Sequence, residues 1–395
     1  MLKADRAGMR SLCFVVESGT DVRLVEGLAK RFNLSVVARR IQDGVEISHP
    51  PSIAFPIIVG PASRLKFALL TWKHLRAHRR TIDQVIVQGY GLAALAANLA
   101  GRFNHVPTVM LVCSPVEAYY RCRKTRAHHD KRFLRRELFV LQALARINAL
   151  VGRRYVVLSN HLATVVRQHG TRGRVAVIPV YGVATGLFKP SPESKTAVKA
   201  RLGLPTTGAL IFFSSRVAPE KDSATLLAAL RSLLDKKRDV WLLHRSGGYE
   251  AFLREAERLG IGARVIATNA VHPGEQLFLD YQASDICVQA SRAEGLGFSP
   301  LEALACGVPV IAAAVGGLQE TIVDGETGWN YPVGDQVALA KCIEEVLDDP
   351  IEASVRTAAG RKMVLANYDQ EIVFDQLEAL LGENSTGAAA REPTP

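Results

Sequence analysis

This sequence has no long apolar run. Across its 395 residues, no uninterrupted apolar stretch approaches the ~18–20 residues that a transmembrane helix requires. The first apolar stretch, 12–16, is too short for the hydrophobic region of a signal peptide and fits a β-strand instead. We therefore expect a cytoplasmic protein that does not span a membrane, and peripheral contact with the inner face of the membrane stays open.

Patterns typical of disulfide and metal sites are also missing. The six cysteines show no Cys-x-x-Cys spacing and no regular framework, which indicates free thiols. His128 and His129 are adjacent instead of four residues apart, so they do not form a helical metal-binding pair. No Gly-x-Gly-x-x-Gly follows the first strand, and we find neither an internal repeat nor a nucleic-acid-binding module. We expect no metal and no nucleic-acid partner.

Basic charge is concentrated in the first half of the chain. Residues 1–190 contain 30 of the 49 Lys and Arg residues and 10 of the 38 Asp and Glu residues, so this half carries +20 and the remainder −9. A basic domain attracts a phosphorylated substrate, an anionic membrane surface or nucleic acid. The simplest alternative is that the charge only keeps the protein soluble.

Two segments carry much of this charge. The helix predicted over 65–77 has apolar residues at Leu65, Leu69 and Trp72 and is followed by further arginines up to position 80. Such a helix either lies on an anionic bilayer or packs its apolar face on the sheet. The segment 121–136 has eight Lys or Arg among sixteen residues, which fits a site for an anionic acceptor or lipid headgroups, or a solvated helix face.

Short apolar strands alternate with helices along the whole chain. This alternation predicts an α/β protein with parallel, doubly wound sheets, and the length favours two domains. We predict an N-terminal basic, acceptor-side domain over 1–188 and a C-terminal donor domain over 189–366. A last helix at 367–382 is expected to cross back to the first domain, and the polar tail 383–395 is expected to be disordered.

The stretch 291–310 contains the clearest candidate site. A short buried strand precedes it, two glycines and Glu294 form a loop, and a helix begins near Pro300 and carries Glu302. Glycine lets the backbone approach a ligand, and the free N–H groups of a helix N-terminus favour anions. Glu302 has a simpler explanation, because Ser299 to Glu302 has the pattern of a capping box. Glu294 has no such local explanation.

Two cations follow an earlier strand of the same predicted sheet. Arg216 and Lys221 flank the start of a helix, where the helix dipole disfavours a cation unless an anion binds. A local pairing of Lys221 with Glu220, Asp222 or Glu255 is the alternative, and surface pairs of that kind contribute only ~0–1 kcal/mol. Because both motifs lie at the carboxyl edge of one sheet, cations suited to a diphosphate and carboxylates suited to sugar hydroxyls come together. A nucleotide diphosphate sugar has all these parts.

These motifs, taken in order, resemble the retaining glycosyltransferases of family 4. The matching segments are 215–221, 281–285, 294–310 and 316–328, and segment 177–190 is similar to the interdomain segment of that family. The resemblance implies the GT-B fold, with two Rossmann-like domains and an active site in the cleft between them. It also implies a metal-independent hexosyltransferase that moves sugar from a nucleotide diphosphate sugar to a lipid-linked or polysaccharide acceptor. Lipopolysaccharide assembly is one such setting.

The resemblance also implies roles for individual residues. Arg216 and Lys221 would hold the diphosphate, Glu294 the transferred sugar and Glu302 the ribose, with Glu294, Arg216 and Lys221 as the catalytic set. The remaining donor-binding residues would be Gly295, Leu296, Gly297, Phe298, Gly19 and His272, the last of these facing the base. In such enzymes the leaving phosphate is thought to take the acceptor proton. The chain has no Asp-x-Asp, which metal-dependent glycosyltransferases commonly use.

The N-terminal half departs from the family pattern at three places. The first loop has Ser18-Gly19-Thr20 where a glycine pair is usual, and Cys113 follows a strand after which many members have a His. Ala184 stands where an Asp is usual. These departures keep open a non-catalytic nucleotide-sugar-binding protein. An epimerase or phosphorylase also stays open, because one fold hosts several chemistries, and charge alone leaves open a nucleic-acid-binding protein.

Overall fold

Two parallel sheets form the framework of the molecule. The computed structural model describes residues 8–41, 53–125, 131–269 and 277–383. The first sheet has seven strands in the order β3-β2-β1-β4-β5-β6-β7, and the second has six in the order β10-β9-β8-β11-β12-β13. The strands are β1 Ser11–Val16, β2 Asn33–Arg39, β3 Ile57–Gly60, β4 Gln84–Gln88, β5 Thr108–Val112, β6 Arg154–Val157, β7 Arg174–Val177, β8 Ala209–Phe213, β9 Val240–Arg245, β10 Val265–Thr268, β11 Ile286–Gln289, β12 Val310–Ala313 and β13 Trp329–Tyr331.

Helices connect the strands and cover the sheets. They are α1 Val22–Arg31, α2 Arg64–Ala77, α3 Leu92–Asn104, α4 Val116–Thr125, α5 Lys131–Val151, α6 Asn160–Gln168, α7 Lys195–Arg201, α8 Ser223–Asp235, α9 Tyr249–Arg258, α10 Phe278–Ala283, α11 Phe298–Ala305, α12 Leu318–Thr321, α13 Gln336–Asp348, α14 Pro350–Asn367 and α15 Gln370–Gly382, with 3₁₀ turns at Pro219–Lys221 and Gly262–Arg264. The strand predicted at 12–16 agrees with β1 to within one residue. The sequence pattern missed α9, which buries only Phe252 and Ala256.

Each sheet has a point where the strand order reverses. In the first sheet it lies between β1 and β4, and in the second between β8 and β11. The loops that follow these strands leave the carboxyl edge in opposite directions and open a crevice, where ligands of such sheets bind. The predicted site residues follow β8 and β11, so the topology places them at the crevice of the second sheet.

Two segments join the sheets beyond the direct chain connection. Val183, in the segment between the two sheets, donates its N–H to Tyr368 O at 2.7 Å and accepts from the N–H of Gln370 at 2.9 Å. Beyond this junction, α15 packs on α1 of the first sheet, where Phe374 is buried against Gly27. The C-terminal helix therefore lies on the N-terminal unit.

The basic helix α2 buries a different face from the one that the sequence suggests. Phe67, Thr71 and Leu75 are buried, whereas Leu65 and Leu69 are 71% and 54% exposed. Leu65 and Leu69 therefore do not pack on the protein, whereas Trp72 packs against the core as expected. Within the described ranges, no helix is both long and apolar enough to cross a membrane.

Candidate active site

Glu294 lies at the centre of a dense set of hydrogen bonds. It follows β11 in the loop that leads to α11, and it is buried. One carboxylate oxygen accepts from Tyr119 Oη at 3.0 Å and the Gly295 N–H at 3.2 Å. The other accepts from Ser291 Oγ at 3.1 Å, Gln289 Nε2 at 3.2 Å and the ammonium of Lys221. Burial raises the pKa of Glu294, but Lys221 and these hydrogen bonds outweigh it and hold the pKa below its usual value.

Lys221 pairs with Glu294 across the sheet edge. The predicted local alternatives, Glu220, Asp222 and Glu255, are not its partners in the structure; the 3₁₀ turn Pro219–Lys221 directs its side chain toward the loop after β11. The structure thus brings together the predicted diphosphate-binding lysine and the predicted sugar-binding carboxylate. Arg216 lies beside the same turn with a side chain that is 63% exposed and open to a ligand.

Glu302 points into the site rather than back to its own helix start. Helix α11 begins at Phe298 after Gly297, whose φ is +93°, and no side chain caps it. The capping-box interpretation is therefore wrong, because the helix starts before Ser299. Glu302 accepts instead from Tyr281 Oη at 2.9 Å and from Arg23 Nη1 at 2.6 Å. Burial raises the pKa of Glu302, and Arg23 and Tyr281 offset this only in part.

The glycines of the site permit close backbone contacts. A Cβ on Gly295 would lie 2.7 Å from the carbonyl oxygen of Cys113, a residue of the N-terminal unit. A Cβ on Gly317 would lie 2.1 Å from the carbonyl oxygen of Gly295 itself. Any side chain at either position would displace the loop that carries Glu294. Both glycines are therefore required by space rather than by backbone conformation.

The other predicted donor-binding residues have different surroundings. Leu296 is buried, so its side chain packs in the interior and does not face a ligand. Phe298 packs edge-on against Tyr181, with ring centroids 4.9 Å apart, and lies 5.6 Å from the Arg23 guanidinium. Gly19 lies in the loop after β1 on the opposite side of the crevice and accepts a long hydrogen bond from Gln88. His272 lies outside the described residues.

Three side chains from the N-terminal unit reach the site, and sequence reasoning missed all of them. Arg23 on α1 contacts Glu302, Tyr119 on α4 contacts Glu294, and Arg123 on α4 contacts Glu220. Glu220 is fully buried. The signal that could have found Arg23 is its place in the first turn of the helix after β1, at the carboxyl edge of the first sheet.

The arrangement alternates acids and bases along the crevice. Lys221 with Glu294, Arg23 with Glu302, and Arg123 with Glu220 form three pairs that neutralise one another. A ligand that brings both a diphosphate and several hydroxyls can take the cations and the carboxylates at once. Among the side chains that the structure describes, no group of three His, Cys, Asp or Glu residues could hold a metal ion.

Two Rossmann-like units with facing carboxyl edges define the GT-B class of fold, and comparison with solved structures agrees. Sucrose-phosphate synthase from Thermosynechococcus elongatus superposes with a TM-score of 0.77 at 22% identity over 94% of this chain and 98% of that one. Residues 194–363 match the family model described as glycosyl transferases group 1. The predicted resemblance to glycosyltransferases and the predicted GT-B fold are confirmed.

Curated relatives align with part of the chain. A GDP-mannose-dependent alpha-(1-6)-phosphatidylinositol monomannoside mannosyltransferase of Mycolicibacterium smegmatis is 34% identical over 51% of this chain and 54% of its own length. A D-inositol 3-phosphate glycosyltransferase of Streptomyces avermitilis is 34% identical over 50% of this chain and 45% of its length. The chain thus spans about half the length of these relatives.

Proposed function

We propose that this protein transfers a hexosyl group from a nucleoside diphosphate sugar to an acceptor bound by its basic N-terminal unit. The observation that carries the proposal is the joint position of Lys221, Glu294 and Glu302 at the crevice of the group 1 domain. Arg216 and Lys221 suit the diphosphate, Glu294 the transferred sugar and Glu302 the ribose. A nucleoside diphosphate sugar has a diphosphate for the cations and hydroxyls for the carboxylates.

The proposed chemistry is metal-independent and retains the anomeric configuration. The bond between the anomeric carbon and the phosphate oxygen breaks, and a bond to the acceptor oxygen forms on the same face. The leaving phosphate oxygen takes the acceptor proton. Negative charge grows on the leaving diphosphate, and Arg216, Lys221 and the N-terminus of α11 stabilise it. Glu294 stays ionised near neutral pH, since its pKa is held below the usual value.

The first donor to test is GDP-mannose, and the first acceptors are inositol-containing lipids. Both curated relatives described above act on inositol derivatives, and one uses GDP-mannose. The full-length protein should be stabilised against thermal unfolding by its own nucleotide sugar in a panel of uracil, guanine and adenine derivatives. A ligand at about 100 Kd stabilises by ~2.7 kcal/mol. Stabilisation by none of these donors would contradict the proposal.

A non-catalytic nucleotide-sugar-binding protein is the second candidate. It is favoured by the N-terminal loops, which depart from the pattern of the family that this sequence resembles. Cys113, for example, stands where many members of that family have a histidine. The two functions differ in turnover. Binding of a donor with neither hydrolysis nor transfer to any acceptor would support the binding protein, and release of the free nucleoside diphosphate would support the transferase.

We further propose that α2 places the N-terminal unit on an anionic membrane surface. Leu65 and Leu69 are exposed one turn apart, and the stretch 64–80 has six Lys or Arg residues and no acid. Arg64 lies 3.7 Å from Glu17, which follows β1, so the start of α2 is next to the crevice edge. Apolar side chains among lysines and arginines are typical of helices that lie in the interface of an anionic bilayer.

Substitution of the exposed leucines tests this membrane contact. Leu65→Ser/Leu69→Ser should lower binding to vesicles that contain anionic phospholipid, measured by flotation. Ile351→Ser/Val355→Ser is the matched control, since these two residues of α14 are also one turn apart and exposed, at 77% and 60%. Equal flotation of both double variants, or binding that does not depend on anionic lipid, would show that α2 is not the contact.

A further inference from the structure

Helix α4 of the N-terminal unit presents one face to the donor-binding turn. Tyr119 and Arg123 are four residues apart and so lie on the same side of the helix. Tyr119 donates to Glu294 at 3.0 Å, and the Arg123 guanidinium lies 5.9 Å from the Tyr119 ring. Arg123 forms a hydrogen-bonded ion pair with Glu220, the residue before Lys221. One helix turn thus contacts two separate carboxylates of the group 1 domain.

The contact with Glu220 is a two-point ion pair. Arg123 Nη2 lies 2.5 Å from one carboxylate oxygen and Nε lies 3.1 Å from the other. The side chain of Glu220 has no exposed surface. Burial raises the pKa of this carboxyl, but Arg123 and backbone hydrogen bonds lower it by more, so Glu220 is ionised. A buried carboxylate of this kind requires a cation beside it, because an unpaired buried charge is strongly unfavourable.

A second arginine is close enough to take that place. Arg216 Nη2 lies 3.8 Å from Glu220 Oε1, the same oxygen that Arg123 contacts at 2.5 Å. The two arginines therefore compete for one carboxylate, and the shorter two-point contact belongs to Arg123. The side chain of Arg216 is 63% exposed at the crevice. Without Arg123, the nearest cation for Glu220 would be Arg216.

We propose that Arg123 is a positioning residue for donor binding: it neutralises Glu220 across the crevice and so keeps Arg216 free for the donor diphosphate. The proposal rests on the function proposed above, in which Arg216 binds that diphosphate. It also makes the donor site depend on the contact between the two units, because Arg123 comes from one and Arg216 from the other. If the crevice opened, Arg123 would leave Glu220. Arg216 would then pair more closely with Glu220, and binding of the diphosphate would weaken.

A charge-rescue experiment tests this assignment. Binding of GDP and of UDP to the full-length protein is measured by calorimetry. Arg123→Ala should weaken binding of the nucleoside diphosphate about tenfold, because Glu220 then holds Arg216. Arg123→Ala/Glu220→Gln should restore the affinity for the nucleoside diphosphate to within about twofold, since a neutral side chain at position 220 does not attract the Arg216 guanidinium. Arg174→Ala, which removes a different arginine–glutamate pair on an exposed surface of the same unit, is the control and should leave the affinity unchanged.

The outcomes separate this inference from the proposed function. If the unsubstituted protein binds neither GDP nor UDP, the proposed function fails and this inference fails with it. If it binds one of them and Arg123→Ala binds equally well, only the inference is overturned. Equal weakening in Arg123→Ala and in the double variant also overturns it, because Arg123 would then act by direct contact or by general folding. Thermal unfolding of each variant shows whether the fold is kept.

Discussion

Replacing Glu294 by Gln is expected to lower the kcat of sugar transfer about 10²-fold, the size of effect that misplacement of a bound substrate produces. Affinity for the free nucleoside diphosphate should stay the same or rise. Glu294 pairs with Lys221, and we expect Lys221 to exchange this carboxylate for a phosphate when the proposed donor binds. In the proposed mechanism, a neutral amide would release Lys221 for the diphosphate but would remove the anion beside the sugar, where positive charge develops.

The opposite directions of the two effects make this prediction specific. Transfer is measured as product formation, and binding of GDP or UDP by calorimetry. Glu326→Gln, the same substitution at an exposed turn of the same domain, is the control and should change neither quantity. Weaker binding of the free nucleoside diphosphate by Glu294→Gln would contradict the exchange of partners, and unchanged transfer would remove Glu294 from the proposed site.

The paired charges have a consequence for donor selectivity. A simple phosphate that took Lys221 would leave Glu294 without its cation in a buried site, which is costly. Under the proposed function, a nucleoside diphosphate sugar would supply a hydroxyl donor to Glu294 as its diphosphate takes Lys221. The proposed exchange therefore favours a ligand that carries both a diphosphate and sugar hydroxyls.

Residues that lie directly after strands could be predicted from the sequence. Arg216, Lys221 and Glu294 follow β8 and β11, and the carboxyl ends of parallel strands meet at one edge whatever the rest of the chain does. The direction in which the Glu302 side chain points could not be predicted from the sequence, because it depends on the residue at which α11 starts. Each residue turns a helix by about 100°, so a start at Phe298 instead of Pro300 changes which groups Glu302 can reach.

The contacts of Arg23, Tyr119 and Arg123 with the site could not be predicted either, and the reason is different. Local pattern places each at the carboxyl edge of the first sheet but says nothing about how that edge faces the second. Their partners are 279, 175 and 97 residues away in the chain. The relative orientation of the units depends on packing contacts such as Gly295 on Cys113 and α15 on α1, and these are visible only in three dimensions.

Replacing Lys221 by Met should have the largest effect on both binding and transfer. Methionine keeps an unbranched side chain of similar length but removes the charge. Loss of a charge-assisted hydrogen bond to the diphosphate should weaken binding of the free nucleoside diphosphate at least about tenfold. Loss of a cation at the leaving group should lower kcat about 10²–10³-fold. Lys236→Met removes an exposed pair with Glu344 in the same domain and should leave both unchanged.

Combining Lys221→Met with Glu294→Gln tests whether the two residues act as one unit. In the single variant Lys221→Met, Glu294 stays buried without its cation, and this penalty adds to the loss of the diphosphate contact. The double variant removes the penalty, so its free energy of unfolding should exceed that of Lys221→Met and its transfer rate should fall no further. Fully additive losses in transfer would instead mean that the lysine and the carboxylate serve the donor independently, and the exchange of partners proposed for this site would be wrong.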